Sequence, residues 1–291
     1  MLKKTNLLIL GHTSFIGNHL TNYFKNKKQF NVKGFNSKTL NLTKNSNLKK
    51  LNPYINDSIV IILSANKTQK GAGLNVLKEN FLMNFNLINY IKNKKVKKII
   101  YVSSQVVFGE NINNIKTIEK TKNIASSYYG LSKIIAENNL KITFQDNPKL
   151  FTIIRMPRIY GPSDSIKNYG PTKFASLALN NEIIKIWGSG KELREFIHVD
   201  DIVKIFNKII NLNIYGEINI ASGNAYSFID VISEIEKILR RKVKFVSQKR
   251  TGKLVNHVFD NTKFKKTFKN FKFIDLSKGI KDIISKRDFT K

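Results

Sequence analysis

Cysteine is absent from all 291 residues. That absence removes disulfide scaffolds, thiolate zinc sites and cysteine nucleophiles from consideration, and it fits a reducing cytoplasm. Long apolar runs are missing too. No stretch approaches the ~18 residues a membrane helix needs, and the run from Leu7 to Leu10 stops at Gly11-His12, too short for the apolar core of a signal peptide. Acidic residues are scarce: 51 Lys+Arg stand against 20 Asp+Glu, a formal net charge of +31. The excess is nearly all lysine and travels with abundant Asn and Ile, the residues of A- and T-rich codons, so codon bias with ordinary solvation is the favoured account. The functional readings are a basic face for nucleic acid, an anionic membrane surface, or attraction of a phosphorylated substrate. Aromatic residues interleave with the lysines only between Lys263 and Lys272, which weighs against nucleic acid as the partner.

What is present suffices for a core: hydrophobic residues make up 41% and aromatics 11%, which excludes disordered, collagen-like and coiled-coil chains. The length suits one large domain or two smaller ones. Short apolar runs recur at Leu7–Leu10, Ser58–Ala65, Lys98–Val102, Phe151–Ile154 and Ile218–Ile220. Runs apolar on both faces and separated by helices are what a parallel sheet covered on both sides requires, so the expected class is α/β, doubly wound. The spacing predicts helices over Leu74–Tyr90 and Tyr128–Leu140. Beyond Pro157 the alternation breaks at Gly161-Pro162, Gly170-Pro171 and Gly188-Ser189-Gly190. The expected organisation is a first region over 1–160, with 195–222 returning to it, and a smaller α/β region over 161–291.

The first strand runs into Gly11-His12-Thr13-Ser14-Phe15-Ile16-Gly17, a strand, a tight turn and a helix start. A pyrophosphate there would meet free backbone N–H groups and the positive end of the helix dipole. Gly11 allows the turn, and Gly17 allows close packing of helix on sheet. After the second strand, placed at Phe30–Phe35, an acid would hold an adenosine 2′-hydroxyl, and the chain offers Asn36, Ser37 and Lys38 instead. Because an acid would repel a 2′-phosphate whereas Lys38 and Ser37 can bind one, NADP is preferred to NAD.

Tyr129 and Lys133 lie four apart, so on a helix they share a face, and an ammonium beside a phenol favours phenolate. Spacing alone means little in a chain where about one residue in six is basic, and Tyr23/Lys27, Tyr90/Lys94 and Tyr169/Lys173 repeat it. Context separates them. Only Tyr129/Lys133 lies one loop downstream of a buried strand ending in hydroxyls, Val102-Ser103-Ser104, on the side of the sheet where cofactors bind. Tyr128 has Ser132 four residues on and is the weaker acid–base candidate.

These motifs, in order, resemble the extended short-chain dehydrogenase/reductase family, the NAD-dependent epimerase/dehydratases that modify nucleotide sugars. The resemblance runs through Gly11–Gly17, Leu63-Ser64-Ala65, Asn80 with Asn86, Ser103–Gly109, Tyr129/Lys133, Arg155–Pro162, Gly188-Ser189-Gly190, Arg194–Asp201 and Asn219–Gly223. It implies a Rossmann-type sheet, with Ser104 hydrogen-bonding the reacting sugar oxygen. Tyr129 would exchange its proton, while Lys133 holds the nicotinamide ribose and lowers the phenol's pKa from its ordinary value. Gly11, Ser14, Phe15, Ile16, Gly17, Asn36–Lys38, Leu63–Ala65 and Asn80 would join Tyr129 and Lys133 around the cofactor. Ser104, Arg158, Lys173, Arg194 and Arg250 would face the nucleotide-diphosphate sugar, a guanidinium fork suiting phosphate oxygens. His198 is as well read as a packing histidine. The resemblance further implies a cytoplasmic homodimer paired through the helices 74–90 and 128–140, and a place in surface polysaccharide synthesis.

The departures are informative. Ser14 stands where relatives carry a middle glycine and would crowd a phosphate; Arg158 replaces a usual Asn, Lys253 a frequent Asp, and Phe108 a common Tyr. The family's 4,6-dehydratases need an Asp-Glu pair directly after the catalytic hydroxyl, and here Gln105-Val106 fill those positions. Epimerisation at C3 or C5 calls for an extra Cys or His pair, and no Cys exists. The chemistry left is 4-epimerisation, then NADPH-dependent reduction of a 4-keto sugar. A third reading is a family member that has lost catalysis and binds RNA or another anionic partner.

Overall fold

A computed structural model describes residues 4–66, 73–164, 170–250 and 252–286. The elements follow the chain as β1 (Thr5–Leu10), α1 (Phe15–Lys25), β2 (Phe30–Phe35), α2 (Asn52–Ile55), β3 (Ile59–Ile62), α3 (Leu74–Ile91), β4 (Lys98–Ser104) and β5 (Asn114–Thr117). Next come α4 (Tyr128–Thr143), β6 (Phe151–Met156), β7 (Arg158–Tyr160), α5 (Pro171–Leu179), β8 (Ile184–Trp187), β9 (Phe196–His198), α6 (Val199–Asn211) and β10 (Gly216–Asn219). The chain continues through α7 (Phe228–Leu239), β11 (Phe245–Gln248), β12 (His257–Phe259), α8 (Thr262–Thr267) and α9 (Leu276–Ser285). The expected second strand, the strand positions and the two long helices all match these elements. No helix among the described residues is long and apolar enough to cross a membrane.

Two compact units divide the chain, one of Met1–Glu110, Glu119–Met156 and Phe206–Asn219, the other of Asn111–Ile118, Pro157–Ile205 and Ile220–Lys291. The return to the first unit is thus the short stretch 206–219, and residues 111–118 go with the second.

In the first unit six strands form one sheet in the order β10-β6-β4-β3-β1-β2, every pairing parallel. β3 is buried at all four positions, which explains its unbroken Ile-Val-Ile-Ile: with helices on both faces there is no wet side to call for alternation. One core cluster runs from Leu8, Leu10, Val60, Ile62 and Ile99 on the strands to Leu87, Ile88 and Ile91 of α3 and to Ala136 and Leu140 of α4. From β1 the chain passes to β2 on one side and to β3 on the other, so the strand order reverses beside β1. In open α/β sheets ligands bind outside the carboxyl ends of the strands at such a reversal.

The second unit holds three two-stranded pairs, β11-β8, β12-β5 and β7-β9. Its separate core packs Phe174 and Ala178 of α5 with Phe228, Ile232 and Ile235 of α7 and Ile280 and Ile283 of α9. A reciprocal capping box of Ser227 and Asp230 starts α7, satisfying two otherwise orphaned donors.

Candidate active site

At the end of β1, Gly11 turns the chain at φ +94°, a backbone state that side chains disfavour. A Cβ there would sit 3.1 Å from the Ser64 nitrogen and 3.3 Å from Leu63. The turn and the Leu63-Ser64-Ala65 loop after β3 therefore meet nearly backbone to backbone. Gly17 has still less room, for a Cβ would run into the Gly11 carbonyl and lie 2.9 Å from the His12 Cα.

Ser14 has a local task in this turn. Its Oγ accepts from the Gly17 N–H at 3.2 Å and donates to the Gly11 carbonyl at 2.7 Å, capping α1. The expectation that Ser14 is an intrusion is corrected to that extent: the hydroxyl is turned back onto its own turn. Phe15 and Ile16 open the helix behind it, and their amides belong to the first turn, which has no intrahelical acceptors. A glycine cradle, close backbone approach and outward amides suit a dinucleotide pyrophosphate.

Asn36 and Asn80 both have hydrogen bonds within the protein. Asn36 closes a turn of its own, its Oδ1 accepting from the amides of Lys38 and Thr39, each at 3.1 Å; that oxygen is spent on the backbone, while Ser37 and Lys38 are exposed. Asn80, expected at the cofactor, is buried, and both its amide hydrogens are used, on the Asn66 carbonyl at 2.9 Å and the Ser132 Oγ at 3.2 Å. Its Oδ1 accepts from the Asn66 N–H at 2.7 Å. Asn80 thus ties the loop after β3 to α4. Asn86 donates to the Leu42 and Thr43 carbonyls.

Ser104 ends β4 and caps the turn Gln105–Phe108, its Oγ accepting from the Val106 N–H at 3.5 Å. Ser127 caps α4, accepting from the Gly130 N–H at 3.0 Å. Gly130 permits the next step of assembly: a Cβ there would be 3.1 Å from the Val106 carbonyl, so the first turn of α4 packs directly on the turn following Ser104. Tyr129 is half-buried on that turn, whereas the Tyr128 ring is 44% exposed.

The tyrosine–lysine pairs now separate by environment. Lys27 and Lys94 sit over Tyr23 and Tyr90 at 4.9 and 5.0 Å, half-exposed; Tyr169 lies outside the described residues. Lys133 alone among these amines is buried, 3% exposed. Its Nζ donates to the Val102 carbonyl at 2.7 Å and lies 4.8 Å from the Tyr101 ring and 5.7 Å from the Tyr129 ring. Burial, and after it the Glu110 carboxylate, push the Tyr129 phenol well above its ordinary range. The net direction is opposite to the expected one, because desolvation of the phenolate, followed by the Glu110 carboxylate, sets it.

Behind this pair lies an interaction the sequence did not disclose. Arg155 of β6 and Glu137 of α4, one turn past Lys133, are 1% and 0% exposed. They join through Nε–Oε1 at 3.0 Å and Nη2–Oε2 at 2.6 Å. Arg155 Nη1 also donates to the Glu119 carbonyl at 2.8 Å, and Nη2 to Glu217 at 3.2 Å. The signal available in sequence was an Arg inside a run buried on both faces, which calls for an acid on an adjacent helix.

Apart from Ser104, the residues assigned to the sugar nucleotide belong to the second unit. Arg194 is half-buried, with Nη1 donating to the Leu193 carbonyl at 2.8 Å and the Val255 carbonyl at 2.5 Å. Arg250 is paired with the buried Glu192 at 2.6 Å and donates to the Trp187 carbonyl, so its charge is already balanced. Arg158 lies on β7 and Lys173 on α5, each half-buried. His198 is 1% exposed; its Nδ1 accepts from the Asp200 N–H at 3.3 Å and its ring meets Tyr160 edge-on at 5.3 Å. Burial lowers its pKa against the pull of Asp200 and Asp282, as for a packing histidine. The aromatic residues of the Lys263–Lys272 stretch are structural: Phe264 and Phe268 are buried with their rings 4.6 Å apart, and Phe264 also meets Phe273 at 5.0 Å and the edge of Phe271 at 5.7 Å.

Comparison with known proteins agrees with this geometry. The model of the NAD dependent epimerase/dehydratase family matches residues 7–221. A Dictyostelium discoideum dTDP-D-glucose 4,6-dehydratase is 31% identical over 268 residues, covering 80% of this chain and 62% of that protein. The chain spans 62% and 64% of the curated relatives it first matches. Among solved structures, the UDP-glucose 4-epimerase of Thermotoga maritima with UDP-glucose superposes with a TM-score of 0.84 at 20% identity, covering 97% of this chain and 98% of that one. RMD from Pseudomonas aeruginosa complexed with NADPH gives 0.82 at 17% identity, covering 97% and 98%.

Proposed function

The chain belongs to the NAD dependent epimerase/dehydratase family, and from that premise we propose that it is a nucleotide-sugar epimerase of the 4-epimerase type, using NAD or NADP. The observation that carries the reading is the conjunction of Ser104, Tyr129 and a buried Lys133 with Gln105-Val106 where an eliminating enzyme needs an acid and a base. A set that can move a proton at a sugar hydroxyl, with nothing to expel water, supports oxidation and re-reduction at one carbon. Oxidised nicotinamide, when bound, supplies a hydride acceptor that later gives the hydride back. Tyr129 takes the hydroxyl proton as the sugar carbon is oxidised and returns it afterwards; Ser104 donates to the same oxygen and fixes its place. Lys133 stabilises the phenolate and holds the ribose. The amides of Phe15 and Ile16 hold the pyrophosphate. Arg158, Lys173 and Arg194 take the nucleotide diphosphate of the sugar.

NADP is the favoured cofactor. The first 56 residues contain no Asp or Glu, so the β1–α1–β2 segment has no carboxylate to accept a ribose 2′-hydroxyl or repel a 2′-phosphate. The same observation favours the second reading, a 4-keto-sugar reductase that consumes NADPH. Incubation with UDP-, dTDP- and ADP-hexoses, and separately with 4-keto sugar nucleotides plus NADPH, distinguishes the two. Epimer formation without change at 340 nm supports the first; stoichiometric loss of 340 nm absorbance replaces it with the second. We further propose a homodimer formed through α3 and α4, which pack on each other and leave Phe81 and Phe85 stacked at 5.6 Å and 40% and 47% exposed.

A further inference from the structure

The ring directly beneath Lys133 belongs to neither the proton transfer nor the cofactor cradle. Tyr101 is the fourth residue of β4, fully buried, and its hydroxyl has no hydrogen-bond partner among the described residues. A buried tyrosine that leaves its hydroxyl unbonded forgoes what usually distinguishes it from phenylalanine, so its contribution must come from the ring. The face of that ring lies 4.8 Å from the Lys133 ammonium, nearer than the Tyr129 ring at 5.7 Å.

Lys133 is 3% exposed, and its ammonium donates to the Val102 carbonyl, on the residue after Tyr101. A desolvated ammonium needs compensation from every side, and an aromatic face supplies it without competing for the proton. We propose that Tyr101 is a positioning residue of the hydride-transfer site, its ring face and the Val102 carbonyl together fixing the Lys133 ammonium beside Tyr129. The proposal rests on the assignment of Tyr129 and Lys133 given above. The charged groups around the pair are Lys133 and Glu137 on α4, Glu110 beyond β4, and Arg155 on β6 bound to Glu137. Glu110 and Glu137 oppose ionisation of the two tyrosines, so Lys133 is the group that must favour it. A Lys133 chain freed from the Tyr101 face swings toward water and no longer offsets the opposing charge of Glu110.

The test needs no sugar substrate. Tyrosinate absorbance near 295 nm is titrated in the full chain saturated with NADP+ or NAD+, with Tyr129→Phe as the blank that isolates the Tyr129 signal. Tyr101→Phe keeps the face and is expected to titrate like wild type. Tyr101→Leu and the longer Tyr101→Met remove it and are expected to raise the Tyr129 midpoint by about one unit, a tenfold loss of phenolate at a given pH. Two lossy variants are used so that one which does not fold, judged by its melting curve, leaves the other. Lys133→Met serves as the reference and is expected to raise the midpoint at least as far. If Lys133→Met shifts the midpoint and neither Tyr101→Leu nor Tyr101→Met does, Tyr101 is only core and the inference is overturned while the catalytic assignment stands. If Lys133→Met shifts nothing, the catalytic assignment fails first. A shift in Tyr101→Phe as large as in Tyr101→Leu also overturns the proposal, since the hydroxyl rather than the ring would then be the cause.

Discussion

Replacing Arg155 by Met removes the charge that neutralises Glu137 and deletes the four bonds its guanidinium makes, two to Glu137 and one each to Glu119 and Glu217. With both side chains almost fully buried, the cost is that of stranding a carboxylate inside the protein, about 3–5 kcal/mol. Unfolding entropy of about 2.1 cal/mol/K per residue gives about 0.6 kcal/mol/K for this chain, so the single variant loses about 5–8 °C in Tm. Glu137→Gln strands the arginine instead and loses a similar amount, because Glu217 on its other side is partly exposed. The double variant Arg155→Met/Glu137→Met removes both charges. Its cost falls well below the sum of the singles, since a well-packed apolar pair of similar volume often matches a buried ion pair. Thermal melts of the four proteins at neutral pH complete the cycle. A double variant as damaged as the summed singles, or singles within about 1 kcal/mol of wild type, would refute the idea of a coupled buried pair bracing α4 behind Lys133.

Gly17→Ala puts a Cβ into the Gly11 carbonyl and against His12; the turn must shift, and tenfold or weaker binding of NAD+ and NADP+ by calorimetry is expected, unchanged binding contradicting the cradle. Lys98, buried, caps the carbonyls of Ile209 and Ile214, and desolvation lowers its pKa to about 8. The unfolded amine titrates near 10.4, so between pH 8 and about 10 the unfolded state binds more protons and this group's contribution to stability rises with pH. The stability of wild type minus that of Lys98→Met should therefore climb across that window, and a fall would show the sign is wrong. Changing Phe81 and Phe85 to Lys should convert the proposed dimer to monomer in sedimentation with the helix content by circular dichroism unchanged; an unchanged mass would remove that face from the interface.

Much of the architecture was legible because a sheet covered on both sides leaves a plain trace: Leu7–Leu10, Ile99–Val102 and Phe151–Ile154 are, but for Thr152, apolar without alternation, and the strands coincide with them. The site was legible where geometry depends on residue type and spacing, as with Gly11, Gly17 and the Tyr129/Lys133 pair. It was not legible where a side chain's hydrogen bonds decide its role. The bonds of Asn80 to Asn66 and Ser132 and the capping of its own helix by Ser14 are not written in residue type or spacing. Arg250 loses its free charge to Glu192, far away in sequence. Phe264 and Phe268 show the same limit: interleaving with lysine is indistinguishable in sequence from a helix with one buried face, and the rings pack inward. The direction of the Tyr129 shift was missed because desolvation is a property of the surroundings, not of the i,i+4 pair.

The most direct test of hydride transfer assisted by Tyr129 as proton acceptor uses UDP-, dTDP- and ADP-hexoses deuterated at C4, incubated with the cofactor-loaded protein and read by NMR and mass spectrometry. The account predicts that a turned-over sugar nucleotide yields its C4 epimer with the label retained on C4, no net cofactor reduction, and a rate reduced about 10²–10⁴-fold in Tyr129→Phe. Label lost to water, or a Tyr129→Phe variant turning over at the wild-type rate, would contradict it.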